Sequence, residues 1–150
     1  MAQPQSMGSD DMSARRFTEK LDRNRDIPAE VRARLKRAVA AVYAAYEEDK
    51  DDLSLTEPSM ASFKGLLKFL GHPHRADWLS PSLALNPEGH FVAVWDIAPR
   101  RYSVEFQSSD EAHWIGIIRS YDQIEREQGD YRLFDNFEAP PFAIPHRGAA

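Results

Sequence analysis

The apolar positions follow two rhythms, and one replaces the other near residue 80. Before that point they recur every three or four residues, the spacing of an amphipathic helix; after it they alternate, as in a strand with one buried face. Residues 13–25 predict a short helix, which Ser13 can cap and which carries Phe17 and Leu21 on one face among charged positions. Two large anchors do not hold such a helix alone, so it must pack on something. Residues 28–49 predict the longest helix, with Pro28 in its first turn, Asp26 as a cap and Val31, Leu35, Ala38, Val39, Val42 and Tyr46 in helical rhythm. The acidic run Glu47, Glu48, Asp49, Asp51 and Asp52 opposes the helix dipole and is expected to stop it. A third helix is expected over 59–70, started by Pro58 and Ser59 and closed by Gly71 and Pro73.

Alternation then takes over. Leu83 and Leu85, then Phe91, Ala93, Trp95 and Ile97, then Tyr102, Val104 and Phe106, then Trp114, Gly116 and Ile118 predict four strands. Turn chemistry separates them at 86–89, 98–101 and 108–111. Ser120 and Gln123 have capping-box spacing and Gly129 can end a helix, so 120–128 predicts a short C-terminal helix. The fold expected is α+β: N-terminal helices on one face of a four-stranded antiparallel meander, a short C-terminal helix and an irregular tail. Residues 1–12 are too polar to offset their ordering entropy and are expected to form a flexible tail, leaving 13–150 as one domain.

Composition narrows the function classes. A net charge of −5 argues against a general nucleic-acid binder, and the lack of cysteine removes disulfides, thiolate metal sites and cysteine nucleophiles. No run approaches the roughly 18 apolar residues that span a bilayer, and the polar start lacks a secretory apolar stretch, so a cytoplasmic location is expected. No phosphate loop, dinucleotide fingerprint or nucleophile elbow is present, and no cofactor is expected.

The nearest approach to a metal signature is His72-Pro73-His74 with Asp77, but histidines past a helix end are also favoured by its dipole, and no metal is expected. His90, Asp96 and His113 could meet on one sheet face and do acid–base work as a small enzyme or ligand-binding domain. Arg32, Arg34, Lys36 and Arg37 form the basic face of a DNA-binding alternative spanning residues 15–37, although acids interleave with it. Trp78, in a polar connection, and Phe134, Phe137 and Phe142, in a proline-punctuated tail, are the expected contacts to a protein partner.

Pro58-Ser59 with Phe63 and Leu67, then Pro81 with Leu83 and Leu85, Gly89, Trp95, and Tyr102, Val104 and Phe106 together resemble a layout seen in small, mostly uncharacterised bacterial proteins. These are often encoded beside a second, toxin-like gene. The resemblance spans residues 59–118 and implies an accessory or antitoxin-like role with the adjacent gene's product as partner; it transfers no catalytic residue. The expectation is a non-enzymatic interaction module that binds and occludes a partner protein.

Overall fold

Phe17 and Leu21, the two anchors of the first helix, are both fully buried. The computed structural model describes residues 14–71 and 81–133, and in it Phe17 sits at the centre of an aromatic cluster. Its ring lies 5.1 Å from Phe63, 5.4 Å from Phe91 and 6.0 Å from Tyr43. Helix α1 (14–22) is therefore held by packing rather than by its own propensity. Ser13, its expected cap, lies outside the described residues, as do 1–12.

Helix α2 spans Ala29–Leu53 and buries Val31, Leu35, Val39, Tyr43 and Tyr46, with Val42 half-buried beside them. It begins at Pro28 without a side-chain cap, so Asp26 does not serve as one. It also runs through the acidic stretch expected to stop it. Lys50 bonds Glu47 at 2.7 Å and offsets part of the repulsion, and Ser54, left-handed at φ 51°, ends the helix by donating its N–H to the Lys50 carbonyl. Helix α3 (Met60–Leu70) starts at Ser59, whose hydroxyl accepts from the Ser62 N–H, and buries Phe63, Leu66, Leu67, Phe69 and Leu70.

The sheet has five antiparallel strands in sequence order: β1 (Ser82–Leu85), β2 (Phe91–Ile97), β3 (Arg100–Phe106), β4 (Glu111–Ser120) and β5 (Gln123–Arg132). Phe91, Ala93, Trp95, Tyr102, Val104, Phe106, Ala112 and Trp114 are its buried positions, and α3 packs on β2 and β3 while α2 packs on β1. The mixed α+β class and the helices-first order are as expected. The strand count is not. The segment expected as a C-terminal helix, 120–128, is the turn into β5 and most of that strand.

Two physical reasons decide this. Ile124 is the segment's single large apolar side chain apart from the Tyr121 ring, so a helix there would have almost no face to bury. As a strand, the same residues pair β4 through ten rungs, Ser120↔Gln123 to Glu111↔Arg132, and satisfy backbone groups that would otherwise be left at an edge. Gly129, read as a helix stop, instead faces Trp114 across the ladder. A Cβ there would stand 2.9 Å from Trp114 Nε1, so the glycine makes room for the indole. No helix among the described residues is long and apolar enough to cross a membrane.

Candidate functional site

The sheet face turned away from the helices carries a row of imidazoles and carboxylates. Strand register sets Val92 against Glu105, Glu105 against His113 and His113 against Asp130. His90 begins the row: its Nδ1 lies 2.7 Å from Glu105 Oε2 and 3.8 Å from Glu88 Oε2. His113 Nδ1 lies 2.6 Å from Asp130 Oδ1. His90, Asp96 and His113 thus share a face, as alternation implies, but they do not form one site. Asp96 is six residues along the chain from His90, roughly 20 Å away at strand rise, and pairs with Arg101 at 3.7 Å. Each histidine instead has a carboxylate from a neighbouring strand, Glu105 or Asp130. Sequence reasoning missed both acids, because only the cross-strand register, fixed by turn lengths, brings them there.

A groove of about 380 Å³ runs between the C-terminal half of α2 and edge strand β1. Val42, Tyr46, Leu53, Leu55 and Leu85 give it an apolar lining, and Leu53 is 63% exposed. Asp49 lies in its wall, Asp52 is one helical turn further on, and Glu47, Glu48, Asp51 and Glu57 surround that end of the helix. Burial of the Tyr46 phenol holds its pKa above the ordinary value, with Glu57 reinforcing the shift and Lys50 opposing it. The hydrogen bond to Glu47 raises the Lys50 pKa. The groove therefore combines an apolar floor with an acidic rim.

The basic residues divide. Arg32 Nη1 donates to the Asn24 and Ile27 carbonyls at 2.9 Å and clamps the loop between α1 and α2; Lys36 bonds Asp22 at 3.1 Å. Arg34 and Arg37 are exposed on α2. A separate open cleft of about 520 Å³ is lined by Lys20, Arg23, Arg25, Lys64 and Lys68 together with Asp26. Lys68 pairs with Asp110 at 2.9 Å, whereas Lys20, Arg23, Arg25 and Lys64 make no ion pair among the described residues. Trp78, Phe134, Phe137 and Phe142, and the His72, His74 and Asp77 group, lie outside the described residues.

No family model matches the chain. No curated protein and no solved structure matches it either.

Proposed function

We propose that the protein is a non-enzymatic interaction module whose α2–β1 groove takes a basic, apolar-faced segment of a partner protein. One observation carries the reading: the apolar groove opens at the end of α2 where six acids and a single lysine fall within residues 47–57. Five of those acids lie on α2 and work against it, since carboxylates near a helix C-terminus are unfavourable. Their placement therefore serves something other than α2, and a cationic partner is the complement their charge selects. The accessory, antitoxin-like role implied by the resemblance of residues 59–118 is of the same kind, with the adjacent gene's product as the expected occupant. The mechanism is occlusion: apolar side chains of the partner fill the groove over Tyr46 and Leu85, and its cations meet Asp49 and Asp52.

The test is affinity capture with the full chain from its native host, read by mass spectrometry in parallel with Leu53→Glu and Ala45→Arg, both at exposed helix positions. A basic protein held by the natural chain and lost from both variants supports the groove. Equal capture by all three, or capture abolished by nuclease, overturns it. The second outcome would favour a polyanion reader built on Lys20, Arg23, Arg25 and Lys64, the reading that these unpaired cations support.

A further inference from the structure

Asn86 organises three potential metal ligands with one side chain. Its Oδ1 accepts the backbone N–H groups of Glu88 and His90 at 3.1 and 2.9 Å, and its Nδ2 donates to Glu105 Oε2 at 2.7 Å. The turn bearing Glu88 and His90 is itself braced. Thr56 N–H donates to the Pro87 carbonyl at 3.0 Å and Ser59 N–H to the Gly89 carbonyl at 2.8 Å. Gly89, at φ +85°, is pressed so close to the Glu57 carbonyl that a Cβ would collide with it. Glu105 sits on β3, the central strand. One imidazole nitrogen and two carboxylate oxygens, from Glu88, His90 and Glu105, thereby lie within 4.8 Å of one another.

We infer that this cluster is a binding site for a zinc-class divalent cation, with His90 Nδ1, Glu105 and Glu88 as ligands and water completing the shell. The donor set selects the ion: a neutral imidazole suits zinc and its first-row neighbours, whereas calcium and magnesium take oxygen donors. The distances fit. Bonds of about 2.0–2.2 Å in a tetrahedral shell put neighbouring ligand atoms about 3.3 Å apart. His90 Nδ1 now stands 2.7 Å from one partner oxygen and 3.8 Å from the other. Exchanging the bridging hydrogen bond for an ion opens the His90–Glu105 separation and closes the His90–Glu88 one, each by about half an ångström, and draws together the two carboxylates, which lie within 4.8 Å of each other. The His90 and Glu105 side chains are each only 24% exposed, so the ion would be partly shielded from water, and Asn86 would act as the outer-shell group that orients Glu105. His113, opposite Glu105 on β4, places a second imidazole on the adjoining strand. Sequence spacing offers no hint of this set, whose members come from a turn and a strand beyond it; the expectation of no metal rested on the lack of cysteine and on the His72, His74 and Asp77 group.

The site does not depend on the groove reading and is tested separately, by calorimetric titration of the full chain with zinc chloride. One ion per chain is expected. Binding should be lost in His90→Gln and Glu105→Gln and weakened about 10–100-fold in Asn86→Ala, the usual cost of removing an outer-shell partner. It should survive in the His72→Ala/His74→Ala double variant. Far-ultraviolet circular dichroism of each variant separates ligand loss from unfolding. If the chain binds no zinc, if folded Glu105→Gln binds it as tightly as the natural chain, or if the double variant loses it, the assignment falls. The His90–Glu105 contact is then an ordinary hydrogen bond.

Discussion

Ser62 is a polar side chain buried to 0% exposure within an otherwise apolar helix face. It earns that place by accepting the Phe91 N–H at 2.8 Å, a backbone donor at the start of β2. The bond ties α3 to the sheet at the point where Phe17, Phe63 and Phe91 meet. Removing the hydroxyl leaves the donor buried without a partner, which costs about 1–3 kcal/mol, more than the hydrogen bond contributes net. Ser62→Ala should therefore lower the unfolding free energy by that amount, read as a lower urea midpoint with an unchanged slope. A variant as stable as the natural chain would show that the Phe91 N–H finds another acceptor.

At the scale of elements, α2 carries its charge against its own dipole, and this separates stability from function. The double variant Asp49→Lys/Asp52→Lys removes two carboxylates near the C-terminus and adds two cations. The cation at position 52 then stands four residues after Glu48, the favourable order for an ion pair. Each change should stabilise by about 0.3–1 kcal/mol, read as a higher melting temperature, while partner capture falls. A double variant that is more stable and still captures the partner would place the binding surface elsewhere. The same helix shows what the sequence made legible. Most of its buried stripe was readable from spacing because Val31, Leu35, Val39 and Tyr46 lie one or two turns apart, although Tyr43 is buried where Ala38 and Val42, expected there, are half-buried. Its end was not, because Ser54 stops it through a left-handed backbone rather than through the acids. The strands with large alternating rings, β2 and β3, were legible for the same reason as the stripe. Strand β5 was not: its side chains are mostly polar or charged and exposed, and ladder pairing to β4 defines it. The turn at 86–89 was legible, but the groove, the His90–Glu105 pair and the Asn86–Glu105 bond join residues distant in sequence, so register and docking create them and no local pattern announces them.

Across the whole molecule, charge is separated along α2. Arg34 and Arg37 stand near its start and the acids near its end. Helical rise puts Arg34 and Asp52 about 27 Å apart, some three Debye lengths at physiological ionic strength, so each pole meets solvent and partners on its own terms. A net charge of −5 therefore describes neither end. Added salt should weaken partner capture by screening the acidic end, and this slope should persist in Arg34→Glu/Arg37→Glu, whose changes lie about 18 Å or more along the helix from Asp49, some two Debye lengths from the acids that meet the partner. In Asp49→Lys/Asp52→Lys the same slope should flatten. If reversing the basic end alters capture and its salt dependence as strongly as reversing the acidic end, the partner is reading the overall field or spanning both poles. A groove at one end of the helix is then too small a description of the interface.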